Sequence, residues 1–394
     1  MAPLARMFRA PHLPYFLASF TWNYGLGMTW LVVPLYAYSK GLSGAELGIL
    51  FSAPSIAQLA INLIGGAYVD RLGGKRIMLA SSVLLAAGAA AMPFAWNFAS
   101  LFGAQLILVL ARATFWPANW AIAAELPGDR GVQAGRLNAV SNLGQILGNA
   151  SCGFVLALAG FVTTFIALSA FALVALILGF GTPQAPRKDM SGHSLFGNYR
   201  VLIRMPILFY GVMCAYLSAL PFSLSMSFYP LLLQHFGFGE AASGVLLALR
   251  AVGGIGAGLV VARFVHTGPG SPWPTIAGAF VATAVGLQPL VSHWGAVGAF
   301  LFALGVGSSI MTIYFQVTIA EVVEPRMRGS AMALGGLGWG CSHLTTPLIM
   351  GFLADRYGIV TGFYALGGIS LVVVGFVALL RGWAFSRTKL ATSR

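Results

Sequence analysis

Gly153-Phe154-Val155, followed by Gly160, Val162-Thr163 and Phe165, returns later in the chain as Gly351-Phe352-Leu353, followed by Gly358, Val360-Thr361 and Phe363. The copies lie 198 residues apart, about half of a 394-residue chain. Ala124-Glu125, which closes an earlier apolar run, returns as Ala320-Glu321 at an offset of 196. Two similar halves direct attention to the interface between them.

Hydrophobic residues make up 58% of the chain and charged residues only 8%. A soluble domain carries roughly 25% charged residues, so most of this chain is built for lipid. Apolar halves repeated in one membrane chain are the plan of a secondary transporter. A transmembrane helix needs roughly 20 mostly apolar residues. Twelve such stretches are expected, at about 15–38, 45–69, 77–96, 101–124, 137–158, 161–180, 206–233, 241–264, 273–292, 295–320, 331–354 and 359–380. The longest polar stretch, Gly181 to Arg204, falls between the sixth and seventh. The expected organisation is a six-helix half (1–180), a linker (181–205) and a second six-helix half (206–394), an all-α membrane protein. Arg6 and Arg9 precede a first apolar stretch too long for a signal-peptide core. Cys152, Cys214 and Cys341 lie far apart in apolar runs, with no metal spacing, and read as small packing residues.

The net charge of +13 has a topological meaning. Eighteen of the 22 Lys and Arg residues fall on one side of the twelve-span plan, and Lys40 and Arg356 alone fall on the other. Arg112 and Arg250 lie inside spans. By the positive-inside rule, both termini and the linker face the cytoplasm, which places the chain in the cytoplasmic (inner) membrane. The basic charge is thus no nucleic-acid surface.

After the second span comes Gly66-Ala67-Tyr68-Val69-Asp70-Arg71-Leu72-Gly73-Gly74-Lys75-Arg76. This resembles the Gly-x-x-x-Asp-Arg-x-Gly-x-Lys/Arg signature of the major facilitator superfamily, at its usual place between spans two and three. The resemblance, which with the span count and the half-repeat covers the whole chain, implies a two-lobed bundle around a central cavity, working by alternating access. It also implies a conformational latch of Gly66, Asp70, Arg71, Gly73, Lys75 and Arg76, facing Glu125 and Arg130, with Glu321 and Arg328 in the second half. Span five carries Gly144, Gly148, Asn149 and Gly153. These partly resemble the glycine-rich signature of proton-coupled drug antiporters, with Asn149 where proline would stand.

Arg112 lies about 16 Å into span four and Arg250 about 14 Å into span eight, at 1.5 Å per residue. A charge at that depth is expensive and faces a cavity or a partner. All nine acids sit at span ends or in loops, so none is placed to pair with either arginine. Unpaired guanidinium groups suit a carboxylate or phosphate. The expected substrate-binding set is Arg112, Arg250, Asn23, Tyr24, Trp116, Asn142, Tyr216, Tyr314, Trp339 and His343, with Trp22, Gln58, Asn62, Asn119, Trp120, Gln145 and Gln316 as further polar or aromatic lining. The expected function is alternating-access transport of a small organic solute, an organic anion foremost, with proton-coupled export of hydrophobic drugs as the alternative. No catalytic constellation, metal site or cofactor motif is present in the sequence, so an enzyme is not expected. The partners are the solute and the bilayer, with protons or a counter-anion as coupling species, and a monomer is expected.

The topology makes a direct prediction. A single cysteine placed beside Lys40 reacts with an impermeant maleimide from outside the cell, and one within residues 187–200 reacts only after the membrane is opened. Labelling of both from one side would sink the twelve-span plan.

Overall fold

A computed structural model of the chain describes residues 12–183, 201–260, 271–323 and 327–392. Among the described residues the secondary structure is helical, without a strand. Helix α1 is Leu13–Ser39; α2 runs in two pieces, Gly44–Ser52 and Pro54–Leu72; α3 is Gly74–Ala91 and α4 is Phe98–Glu125. The run Arg130–Gly179 is broken at Gly160 (φ 75°, ψ −178°) into α5 (130–159) and α6 (161–179). In the second half α7 has two pieces, Pro206–Ser225 and Tyr229–His235, followed by α8 (Glu240–Val260), α9 (Trp273–Leu287), α10 (Trp294–Val322), α11 (Arg328–Tyr357) and α12 (Ile359–Thr392). Among the described residues twelve helical traverses result, close to their expected places except that α5 begins seven residues earlier than expected and α12 runs twelve residues further.

Among the described residues eight helical runs are long and apolar enough to cross a membrane by length and composition, and one of them, Val132–Gly179, contains both α5 and α6. The others are α1, α9 and α11. Helix α9 is only 15 residues long. Helices α1 and α11, at 27 and 30 residues, have the length and fall short in hydropathy: they carry Asn23, Tyr24, Thr29, Ser342, His343, Thr345 and Thr346.

The repeated phrase now has a physical reading. Its second glycine, Gly160 or Gly358, turns the chain from α5 into α6 (φ 75°) or from α11 into α12 (φ 82°). Only glycine takes such a φ at no steric cost. Its first glycine, Gly153 or Gly351, lies where one half crosses the other. A Cβ on Gly351 would overlap the backbone carbonyl of Gly44, and one on Gly153 the backbone carbonyl of Glu240. The structure reveals a second repeat that answers the first. Gly41, Ala45, Gly48 and Leu50 at the start of α2 correspond, at an offset of 196, to Gly237, Ala241, Gly244 and Leu246 at the start of α8. A Cβ on Gly48 would come to 2.7 Å from the Pro347 carbonyl oxygen, and one on Gly244 to 2.6 Å from that of Asn149. The halves therefore meet along two pseudo-equivalent crossings, α2 with α11 and α5 with α8, where backbone touches backbone. Small residues permit this approach, which lipid-embedded helices exploit for packing.

Both crossings lie at one end of the bundle, beside the α1–α2, α5–α6, α7–α8 and α11–α12 turns. We call this end the turn face, and the end carrying the start of α1 and the end of α12 the terminal face. Helices α3 and α9 each finish at the turn face in a proline-containing 3₁₀ turn, Met92–Phe94 and Gln288–Leu290. At the terminal face the signature residues make a tight α2–α3 junction: Gly73 alone (φ 85°) separates the helices. Lys75 donates from Nζ to the Phe180 carbonyl at 2.7 Å, tying α3 to the end of α6 within the first half. Arg71 and Arg76 are exposed, as are Glu125 and Glu321. The side chains of Gly66, Asp70, Arg130 and Arg328, and most of the 181–205 linker, lie outside the described residues.

The seam yields a prediction. Gly351→Ala forces a methyl against a backbone carbonyl, a strain of about 1–3 kcal/mol by the cost of overpacking, and lowers the thermal unfolding midpoint in detergent. Gly368→Ala, where nothing lies within 4 Å, leaves the midpoint unchanged or raises it through helix propensity. Equal midpoints for the two variants would contradict the crossing.

Candidate functional site

Between the halves lies a narrow cavity. It draws on α1 (Leu26, Thr29, Trp30, Val33), α2 (Phe51), α3 (Leu85), α4 (Gln105, Leu108, Val109, Arg112), α7 (Ser223, Met226) and α11 (His343, Pro347). The α4 contribution follows helical spacing, with Gln105 and Arg112 two turns apart on one face. The wall is mainly apolar with a few polar groups, the usual character of a small-molecule site.

Arg112 reaches from the first half toward the second. Its Nη2 donates to Gln58 Oε1 at 2.8 Å, its Nη1 to the Met226 sulfur at 2.9 Å, and its Nε has no partner. A thioether is a weak acceptor and an amide oxygen is neutral, so neither cancels the charge. His343 faces the same cavity from α11. Its Nδ1 lies 2.7 Å from the Trp339 carbonyl. A carbonyl only accepts, so Nδ1 carries a proton, and in the neutral ring Nε2 is left as an acceptor. The polar pair that spans the cavity from opposite halves is thus Arg112 with His343.

Arg250 is held differently. It is 6% exposed and is not part of the cavity wall. Its guanidinium carbon lies 5.0 Å from the centre of the Phe222 ring and 5.7 Å from that of Trp30. These are cation–π distances. Nε is buried without a hydrogen-bond partner. Trp30 packs edge-to-face on Phe222 at 4.6 Å, and Phe222 leans on Trp339 and His343 at 5.4 and 5.7 Å. An aromatic layer from α1, α7 and α11 therefore stands over Arg250, and Trp30 belongs both to that layer and to the cavity.

Of the ten residues expected to bind substrate, Arg112 and His343 line this cavity. Trp339 sits behind His343. The remaining positions fall elsewhere. Asn23 is fully buried between α1 and α5, donating to the Ser19 carbonyl at 2.8 Å and to Ser141 Oγ at 3.2 Å, and accepting from Gln145 Nε2 at 2.8 Å. Tyr24 bonds Ser151 and stacks on Phe171 at 4.0 Å. Tyr216 shares a hydrogen bond of 2.9 Å with Thr345, and Tyr314 packs against Tyr210 in the core of the second half. Trp116 lies against Phe115 and Trp120. Asn142 is half-buried on α5. Asn23, Tyr24, Tyr216 and Tyr314 join helices within a half, while the Trp116 contacts stay within α4. Conversely, Trp30, Gln105, Ser223 and Met226 were not singled out by sequence. The Gln105–Arg112 spacing was the available signal.

Comparison with known proteins gives this geometry a family. The model describing the Major Facilitator Superfamily matches residues 15–291 and 270–389. The chain is 26% identical over 167 residues to the quinolone resistance protein NorA of Staphylococcus aureus, an alignment covering 42% of this chain and 43% of NorA. It is 24% identical over 235 residues to multidrug resistance protein 1 of Bacillus subtilis, covering 58% of this chain and 60% of that protein. The chain thus matches about half the length of these curated relatives. A solved structure of a bacterial homologue of the human lysosomal transporter Spinster, inward-facing and unoccupied, superposes with a TM-score of 0.78 at 16% identity, covering 97% of this chain and 98% of that one; this likeness speaks to the fold alone. The chain is an integral membrane protein and belongs to the Major Facilitator Superfamily of transporters.

Proposed function

We propose that the protein moves a small, largely apolar organic anion across the cytoplasmic membrane by alternating access, with both termini and the 181–205 linker in the cytoplasm and the two six-helix halves acting as a monomer's rocking units. One observation carries the substrate class: the Arg112 guanidinium lines the cavity between halves with only an amide oxygen and a thioether as partners. A carboxylate or phosphate would supply the missing acceptors, and a guanidinium fork binds such groups in two-point geometry. The aliphatic and aromatic remainder of the wall suits an apolar body on that anion. Arg250, beneath the Trp30–Phe222 layer, adds a second positive charge near the same depth. No carboxylate in the chain sits at mid-span, so coupling falls to His343, to the substrate's own ionisation or to exchange of one anion for another.

The alternative, proton-coupled export of hydrophobic drugs, is favoured by the matches to NorA and to the Bacillus multidrug resistance protein and by the aromatic layer. Binding measurements on purified protein separate the two. For an anionic reading, Arg112→Gln weakens binding of an aromatic carboxylate by about 10- to 100-fold, as loss of charge-assisted hydrogen bonds implies. Arg250→Gln weakens it less, because Arg250 lies behind the Trp30–Phe222 layer and acts on the anion through its charge alone. Unchanged affinity in both glutamine variants, or preferential binding of lipophilic cations by the wild type, rejects the anion and promotes the drug exporter.

A further inference from the structure

The start of α2 is bound by a residue of the opposite half. A helix leaves its first four N–H groups without intrahelical acceptors, and at α2 each can be traced. The Glu46 N–H goes to Ser43 Oγ at 3.2 Å, while the Glu46 carboxylate accepts the Ser43 N–H at 2.8 Å, a complete capping box. The Leu47 N–H, bonded to the Ser43 carbonyl at 2.9 Å, begins the regular helix ladder. The two remaining donors, Gly44 and Ala45, are both taken by Asp355 near the end of α11, Gly44 N–H by Oδ1 and Ala45 N–H by Oδ2, the latter at 2.8 Å. One carboxylate of the second half thus completes a helix of the first, and it sits on the positive end of that helix, where a negative charge is favoured.

This contact lies directly on the α2–α11 crossing. Gly44 is also the residue whose carbonyl abuts Gly351, one turn before Asp355. The turn face cannot open along α2–α11 without breaking both Asp355 bonds. The related α5–α8 crossing has no such device. The residue of α5 that corresponds to Asp355 through the 198-residue offset is Ala157, which has nothing to offer the start of α8. The fastening is therefore one-sided, and it stands at the far end of the molecule from the Gly66–Arg76 signature.

We propose that Asp355 is the latch that holds the turn face shut, so that releasing it from Gly44 and Ala45 is a required step of the transport cycle. Its role is conformational positioning, through the helix it caps, and it is independent of the substrate class. When the latch opens, water takes over both N–H groups and the carboxylate. The latch thus biases the equilibrium between states without locking it. The charged groups around it are Glu46, held in the α2 capping box, Arg356, the next residue on α11, and Lys40 at the end of α1.

The test uses the full chain with Cys341 replaced by serine and spin labels at Trp96→Cys and Ser292→Cys, two exposed turn-face positions in different halves, in nanodiscs without substrate. Double electron–electron resonance reads their separation. The latch predicts one dominant short distance in the otherwise unaltered protein. Asp355→Ala raises the long-distance, open-turn-face population about tenfold. Asp355→Asn, which keeps an uncharged acceptor, gives a smaller rise. Arg356→Gln, a charge change beside the latch, leaves the distribution as it was. An unchanged distribution in Asp355→Ala, or an equal shift in Arg356→Gln, overturns the proposal. Because no substrate is present, a failure of the anion reading leaves this result untouched.

Discussion

Backbone-to-backbone contact between the two halves is the constraint around which this molecule is arranged. Gly44 and Gly48 against Pro347 and Gly351, and Gly153 and Gly244 against Glu240 and Asn149, bring four helices closer than any side chain would allow. Once those crossings are fixed, α1, α4 and α7 enclose the space beside α2 and α11, and the cavity takes most of its lining from their inward faces. The seam also decides what a conformational change must do. Contacts that consist of glycine and carbonyl have few rotamers to rearrange, so the halves can part there without repacking a core, and a single carboxylate can weigh noticeably in the balance.

The two buried arginines illustrate how one cost is met in two ways. A mid-membrane guanidinium requires acceptors, an electron-rich ring or water. Arg112 finds an amide oxygen and a sulfur and keeps one edge unbonded. Arg250 finds two ring faces, which contribute about 2 kcal/mol or more when desolvated. Each reaches into the other half to do so, Arg112 to Met226 and Arg250 to Trp30. Charge at mid-depth is therefore tied to the relative placement of the halves, the quantity that changes in alternating access.

Much of the architecture could be read from the chain because it depends on strong, local signals. Apolar runs of bilayer length mark the helices, and Gly160 and Gly358 stand out because the same turn is built twice. The breaks inside α2 and α7 were not legible: Ala53 and residues 226–228 interrupt helices without changing the apolar character of the stretch. The Gly41–Leu50 and Gly237–Leu246 repeat was also present, but its shared residues are small ones in a chain with 50 glycines, and only the crossing gives it meaning. At the site, Arg112 and His343 were legible as charge or potential charge where lipid would forbid it. Trp30 and Met226 were not, since an apolar residue in an apolar helix carries no mark of the face it presents. Asn23 and Tyr24 stand away from this cavity for a related reason: helices within one half also need polar bonds to one another, and sequence does not distinguish those from a solute's.

Helix α9 is short for a bilayer, and this has a consequence outside the protein. Its 15 residues rise about 22 Å, and the 3₁₀ turn Gln288–Leu290 extends it to about 28 Å, against a hydrocarbon thickness of roughly 30 Å. Its outer surface, with Ile276, Phe280, Leu287 and Leu290 exposed, is apolar to the end. Where the host bilayer is thicker than this span, acyl chains beside α9 shorten or tilt to meet it. The transporter thereby carries a local lipid environment of its own, and the thickness of the host bilayer becomes a variable of its energetics.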